Sequence, residues 1–302
     1  MRLRPFELIQ PESVTEAVAA LGRADGEARL IAGGTALVPM MRLGLVGPER
    51  VISLHRVPEL DAIRAEPGAL RLGAMVTMAD IHRAPAVRSG WLLLADAAGS
   101  VATPAIRSSA TLGGNLAYAE AASDPAPALL CLDAEVEIAG PAGERILPLS
   151  RFFTGFYETA LEPGEILTAV RVPAAPAGAR AGYIKFCPRS AEDKALVGVA
   201  ALLVLDPGTG RCRHARIAMG GVAPTAIRAV RAESRLSGQT LDDRASREAA
   251  DAAAAEADPL SDLMGSADYR RDMVRVWVRR LLTRLGDDRP PGPASHHDAA
   301  RE

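Results

Sequence analysis

The sequence predicts an α+β chain of two domains, and three observations carry that prediction. A length of 302 residues suggests roughly two domains at about 150 residues each. The first half alternates short strands and helices without the clean period of a doubly wound sheet. The second half sets a run of strands ahead of a run of helices, the order of an α+β domain.

The elements follow in chain order. Ser13-Val-Thr-Glu16 is a capping box, followed by Val14, Ala17, Val18 and Leu21 at helical spacing and Gly22 as a stop. Ala28 to Ala32 is a short buried-strand pattern ending at Gly33-Gly34. Arg50 to Leu54 and Leu70 to Val76 read as further strands, with a helix near Pro58 to Ile63 between them. Thr77-Met-Ala-Asp80 has the form of a second cap, and Trp91 to Ala98 reads as a buried helix. Strands then dominate: Glu135 to Ile138, Arg145 to Leu149 and Glu165 to Val172. Pro173-Ala-Ala-Pro-Ala-Gly-Ala is small, proline-rich and unpatterned, as a linker is. Beyond it lie three strands, Gly182 to Phe186, Val197 to Leu205 and His214 to Gly220, and three helices. The last helix, Tyr269 to Leu285, sets Met273, Trp277 and Leu281 on one i, i+4 stripe that reads as core packing. The polar, proline-rich segment after Gly286 reads as disordered.

Composition narrows the function classes. With 35 basic and 37 acidic residues the net charge is −2, so no global field draws nucleic acid or an anionic membrane. No apolar run approaches the ~18 residues of a membrane span, and the first residues lead into no signal-type apolar stretch. A cytoplasmic location is the expectation. Cys131, Cys187 and Cys212 are odd in number and widely spaced, which suits neither a disulfide framework nor metal ligation. His55, His82, His214, His296 and His297 form no metal-binding pattern, so any metal chemistry belongs on another chain. The only lysines among the basic residues are Lys185 and Lys194, and in an arginine-rich background those two positions stand out.

Two glycine pairs carry the chemistry. They are Ile31-Ala-Gly-Gly-Thr-Ala-Leu37 and Ala110-Thr-Leu-Gly-Gly-Asn-Leu116. Glycine at a turn permits positive φ and close backbone approach. Successive free N–H groups there form a nest suited to a pyrophosphate, with Thr35 and Thr111 adding hydroxyls. Neither pair is a Gly-x-Gly-x-x-Gly fingerprint or a Walker A loop, which disfavours Rossmann and P-loop readings. A Gly-Gly turn with no ligand remains an open alternative for each pair.

These residues resemble a known family: the FAD-binding medium subunit of molybdenum hydroxylases such as carbon monoxide dehydrogenase and xanthine dehydrogenase. The resemblance runs from about residue 3 to 285. It is carried by Ala32 to Pro39, Ile106 to Asn115, Ser123 to Leu130, Leu132 to Ala134, Tyr183-Ile-Lys185, Gly220 to Thr225 and Ser266 to Arg271. It implies a PCMH-type FAD-binding domain over 1–173, built of two α/β subdomains of about 1–55 and 56–173. A linker over 174–180 follows. A C-terminal domain over 181–286, with a three-stranded antiparallel sheet and a helical bundle, precedes a disordered tail over 287–302.

The resemblance also implies a two-part site for non-covalent FAD. Ala32, Gly33, Gly34, Thr35, Ala36 and Leu37, together with Thr111, Gly113, Gly114 and Asn115, should wrap the pyrophosphate with amides and hydroxyls. Val101, Ala110 and Ala117 complete the implied contacts. Asp124 should accept hydrogen bonds from the ribose or adenine side, with a plain turn before Pro125 as its other reading. Ile166 and Leu167 should form an apolar wall against adenine, though an ordinary sheet-core role fits them equally. Lys185 should reach toward the cofactor, where a cation stabilises the negative charge of reduced flavin. Asp193 matches the family's acidic position.

Two residues depart from the family pattern. Lys194 stands where many relatives carry an aromatic or aliphatic residue. It is read either as a charge tuning the flavin or as a solvent-facing partner of Glu192 or Asp193. Ala36 stands where relatives commonly have a polar residue. Function by resemblance is electron transfer, with FAD taking electrons from [2Fe–2S] clusters on a small subunit and passing them to an acceptor. Molybdopterin and substrate belong to a large subunit, in a dimer of heterotrimers. A stand-alone flavin oxidoreductase of the same fold is the alternative, and an interaction protein that has lost flavin is a third class.

Overall fold

The computed structural model describes residues 4–23 and 28–287. The expected disordered tail therefore lies, apart from Asp287, outside the described residues.

The chain opens with β1 (Glu7–Ile9), α1 (Val14–Gly22), β2 (Ala28–Ile31), α2 (Leu37–Leu43) and β3 (Arg50–Ser53). The cap read at Ser13 is present: its hydroxyl accepts from the Glu16 amide at 3.2 Å. Glu16 in turn accepts from the Glu12 amide at 2.9 Å, one residue earlier than a standard capping box. The three strands form a parallel sheet in the order β1-β3-β2. Its middle strand β3 buries Val51, Ile52 and Ser53, as a strand covered on both sides must. β1 is too short and too exposed to show a pattern, and sequence reading missed it.

The helix expected near Pro58 to Ile63 is not there. A 3₁₀ turn spans Pro58–Leu60, and β4 (Ile63–Glu66) begins at the end of the expected helix. The reason is tertiary. The Leu60 carbonyl accepts from the Met75 amide at 2.8 Å. Gly73 also lies so near that a Cβ there would sit 2.1 Å from the same oxygen. β5 (Ala69–Gly73) follows, ending three residues before the predicted Val76.

Thr77 then caps α3 (Met78–Arg83) through the Asp80 amide at 3.1 Å, as its sequence suggests. Short helices continue: α4 (Pro85–Gly90), α5 (Leu92–Gly99), α6 (Pro104–Arg107), α7 (Leu112–Tyr118) and α8 (Pro125–Cys131). α5 is the expected buried helix, with Leu93, Leu94, Ala95, Ala97 and Ala98 inside the core. β6 (Glu135–Gly140), β7 (Gly143–Pro148), the small hairpin β8 (Phe153–Gly155) and β9 (Glu158–Thr159), and β10 (Ile166–Pro173) come next.

The large sheet has the order β4-β5-β10-β6-β7 and its pairs are antiparallel, with β10 in the middle. Pairing with β6 skips Thr168, a bulge that bends the strand. The Thr168 carbonyl is held by the Ala74 amide at 2.9 Å. Antiparallel pairing makes this part α+β, whereas the parallel opening sheet is α/β in style.

The last part holds β11 (Ala179–Phe186), β12 (Val197–Leu205), β13 (Cys212–Gly220) and β14 (Ile227–Arg228). The predicted three-stranded sheet thus has a fourth, two-residue strand. β14 is set by its partners: Arg228 is clamped by Glu233 through two 2.6 Å hydrogen bonds and reaches Asp133 at 2.9 Å. Two residues carry no periodicity to read. β11 starts inside the expected linker, where Ala174 already donates to the Gly68 carbonyl at 2.9 Å.

Three helices close the fold: α9 (Val230–Leu236), α10 (Asp243–Glu256) and α11 (Ala267–Gly286). β12 is buried on both faces. Val197, Val199, Ala201 and Leu203 meet the helices, while Ala200 and Leu202 join the core built on β5, β10, α5 and α8. Of the predicted α11 stripe, Leu281 is fully buried and Met273 and Trp277 pack at its margin. The centre of the face runs through Val274, Val278, Leu282 and Leu285.

Candidate functional site

A cleft of about 700 Å³ opens between the parallel sheet and the five-stranded sheet. That size suits a cofactor-sized ligand. Both glycine motifs line it: Ala32, Gly33, Gly34, Thr35, Ala36 and Leu37 on one side, Ala110, Thr111, Gly113, Gly114, Asn115 and Ala117 on the other.

The first motif supplies unpaired donors. β2 ends at Ile31 and α2 starts at Leu37, so the turn between them has no ladder to join. The amides of Gly33, Gly34, Thr35, Ala36 and Leu37 donate to no other group among the described residues. Gly34 has φ +69, a conformation glycine adopts without strain. Ala36 is the N-cap of α2 and offers no side-chain hydrogen bond, so the departure noted in the sequence leaves the turn's amides uncovered.

The second motif behaves differently. Four of its amides are already used: Leu112 donates to Val76 at 2.9 Å, Gly113 to Ala74 at 2.8 Å and Asn115 to Thr111 at 3.0 Å. The Gly114 amide donates to the Thr111 hydroxyl oxygen at 3.2 Å. Thr111 is the N-cap of α7, and that duty consumes the nest. What remains is Asn115. Its Oδ1 accepts from Ser123 at 2.6 Å, which turns the amide nitrogen outward with no partner among the described residues. The glycines here serve close packing. A Cβ on Gly33 would lie 1.7 Å from the Ser109 carbonyl oxygen, and one on Gly114 2.8 Å from Thr111 Oγ1.

Apolar surface completes the walls. Ile166 and Leu167, flanking the bulge of β10, both line the cleft with Leu54 and Met75. Unpaired amides, a carboxamide and flat apolar walls fit a dinucleotide cofactor: polar contacts for the phosphates, dry surface for the rings.

Five predicted residues lie elsewhere. Val101, Asp124, Lys185, Asp193 and Lys194 are not among the cleft's lining. Val101 is buried, and its carbonyl accepts from Arg107 at 2.8 Å. Asp124 is buried as well. It accepts from Tyr183 at 2.7 Å and Lys185 at 3.1 Å rather than presenting a free carboxylate to a ribose. Burial pushes Asp124 up to about 6, against the opposing pull of Lys185 and the Tyr183 hydroxyl. The Tyr183 phenol is raised for the same reason, burial first and the Asp124 charge second. Lys185, expected to reach the cofactor, spends its ammonium on Asp124 and on the Ser100 carbonyl at 2.8 Å. This cluster joins β11 to the N-terminal half, which no local pattern reveals.

Asp193 pairs with Arg189 at 3.5 Å. Lys194 reaches neither Glu192 nor Asp193 but Glu120, in the N-terminal half. Glu120 also accepts from the Tyr157 hydroxyl at 2.7 Å. Burial alone would raise the Glu120 carboxyl, but the hydrogen bonds from Lys194 and Tyr157 hold it below the usual range. Tyr157 and Tyr118 both line the cleft, as do Arg29 and Met40. Sequence reasoning missed all four. Aromatics are scarce in this chain, which was the signal available for the tyrosines.

Comparison with known proteins agrees with this architecture. Residues 4–175 match the FAD binding domain in molybdopterin dehydrogenase, and residues 182–285 the CO dehydrogenase flavoprotein C-terminal domain. The chain is 39% identical to the carbon monoxide dehydrogenase medium chain of Hydrogenophaga pseudoflava, over 92% of this chain and 96% of that one. It is 34% identical to the 6-hydroxypseudooxynicotine dehydrogenase complex subunit alpha of Paenarthrobacter nicotinovorans, covering 98% and 100%. A solved carbon monoxide dehydrogenase from Hydrogenophaga pseudoflava superposes with a TM-score of 0.90 at 40% identity, over 94% of this chain and 98% of that one. With an FAD-binding domain, the matching C-terminal domain and full-length relatives that are dehydrogenase subunits, the chain belongs to the family of FAD-binding medium subunits of molybdenum hydroxylases.

Proposed function

We propose that this chain is the electron-transfer subunit of a molybdopterin-dependent hydroxylase. It holds FAD non-covalently in the cleft and passes electrons from [2Fe–2S] clusters on a small partner subunit to an acceptor. The observation that carries the reading is the row of five unpartnered amides from Gly33 to Leu37, facing a second glycine motif across a cleft of about 700 Å³.

Bound FAD supplies a carrier that accepts and donates electrons in single steps. The chain's own residues do the rest. The Gly33 to Leu37 amides and the Thr35 hydroxyl bind the pyrophosphate. The Asn115 carboxamide, oriented by Ser123, adds a donor from the opposite side. Ile166, Leu167, Leu54 and Met75 exclude water from the ring surfaces. No His or Cys lines the cleft among the described residues, in keeping with non-covalent attachment. Asp124, Tyr183 and Lys185 act at a distance, as a buried tie that fixes β11 to the N-terminal half.

The partners in this reading are a large molybdopterin-binding subunit, which selects the substrate, and the small iron–sulfur subunit, in a dimer of heterotrimers. Among the described residues no helix is long and apolar enough to cross a membrane. Three unpaired cysteines are in keeping with a cytoplasmic setting. The first test is the visible spectrum of the purified chain, with extraction of any flavin. Extractable FAD at about one per chain is the expected result. A colourless protein that FAD fails to reconstitute overturns the assignment of this cleft.

A further inference from the structure

Lys194, Glu120 and Tyr157 come from three separated parts of the chain and meet at the mouth of the cleft. Lys194 lies in the loop between β11 and β12, Glu120 follows α7, and Tyr157 sits at the tip of the β8–β9 hairpin. Glu120 is the hub. Its side chain is only 15% exposed, and it accepts from both Lys194 and Tyr157. Its other oxygen takes the Ala122 amide at 3.4 Å. Tyr157 packs at a tilt of 58° against Tyr118, with ring centroids 5.1 Å apart, and edge-on against Phe156 at 4.5 Å. Tyr157 also has φ +57, a left-handed conformation that an L side chain holds only when its surroundings fix it. Both tyrosines line the cleft, yet Tyr157 remains 40% exposed, which places it at the rim.

A strained backbone, a partly buried carboxylate and a cross-domain lysine thus converge on the placement of one aromatic ring. We propose that the Tyr118–Tyr157 pair is the aromatic wall that closes the cleft over the bound flavin nucleotide. Glu120 is the positioning residue that holds it, and Lys194 ties that wall to the C-terminal domain. The inference rests on the proposed FAD site and adds to it the element that governs release. Stacking suits a flat conjugated ring, and the pair contributes it without any polar contact to the ligand.

The test uses the full chain loaded with FAD. Release is followed by the rise in flavin fluorescence after dilution, and the melting point of the flavin-free chain is recorded for each variant. Tyr157→Phe keeps the ring but loses the Glu120 hydrogen bond, and is expected to speed release by about fivefold. Glu120→Met, which lacks the acceptor, should do the same, and the double variant should be no faster than either alone, since both remove one contact. Lys194→Met should speed release by about twofold at low salt. Lys194→Arg should restore the wild-type rate, and added salt should bring wild type to the Lys194→Met rate. Release at the wild-type rate in Tyr157→Phe and Glu120→Met overturns the inference, even if their melting points fall, because that combination marks a purely structural role. Wild-type chain that takes up no FAD overturns the proposed site and this inference together. Normal uptake with unchanged release overturns the inference alone.

Discussion

Gly33 has no room for a side chain. A Cβ there would fall 1.7 Å from the Ser109 carbonyl oxygen, so the two glycine motifs must part to admit it. Gly33→Ala is expected to lower stability by about 3 kcal/mol and to empty the cleft of FAD, read by urea unfolding and flavin content. Asp124 offers a second prediction. Its carboxyl rises from an ordinary 3.8 to about 6 in the folded protein, chiefly through burial. The native state therefore keeps a proton that the unfolded chain has released, and this group's contribution to stability declines as pH rises from about 4 to about 6. Above that window it is flat. Asp124→Asn is expected to remove the slope. At neutral pH it should also lower stability by about 3 kcal/mol, because the Lys185 ammonium loses its buried counter-charge. Unfolding curves at stepped pH report both effects. The types of residue in the first motif were legible in the sequence, since glycine pairs with threonine mark an open turn. The occupied amides of the second were not, because Val76 and Ala74 lie more than thirty residues before their donors.

At the level of elements, caps were the most readable feature. Ser13 and Thr77, both read as caps, each accept from the amide three residues on, as does Ser266, which sequence reading missed. Thr111 does the same for α7, so Thr111→Ala is expected to lower stability by about 1 kcal/mol and to loosen FAD binding by releasing the helix start that carries Asn115. Thermal unfolding with and without FAD separates the two. α11 carries a buried cation. Arg270 donates to the Leu196 and Gly221 carbonyls at 2.8 Å each and to Asp262 at 2.7 Å. Arg270→Met strands two carbonyls at the ends of β12 and β13, with an expected loss of about 3 kcal/mol by denaturant titration. Elements that depend on a distant partner escaped prediction. β4 exists because β5 pairs with it, and β14 because Glu233 and Asp133 hold Arg228.

For the whole molecule, the cleft lies between two sheets and its donors come from a turn that nothing else satisfies. A ligand that binds only the folded form should therefore stabilise it. FAD at a hundred times its dissociation constant is expected to add about 2.7 kcal/mol, seen as a rise in melting temperature that grows with FAD concentration. The C-terminal domain shares its sheet with both cores, since β12 is buried on each face. Unfolding of the two domains should accordingly follow a single transition by fluorescence and circular dichroism.

The sequence by itself determined the α+β class, the order of most elements, the caps and the two glycine turns. Each of these depends on local residue type or on a period of a few residues, which a linear reading captures. It also carried the family, through motifs spread along nearly the whole length. Tertiary structure alone decided which amides stay free, since only packing shows that Leu112 to Asn115 are spent and Gly33 to Leu37 are not. It decided likewise that Lys185 turns to Asp124, and that Lys194 crosses to Glu120 and Tyr157. Charge pairing depends on distance in space, and residues 74 positions apart in the chain have no pattern between them.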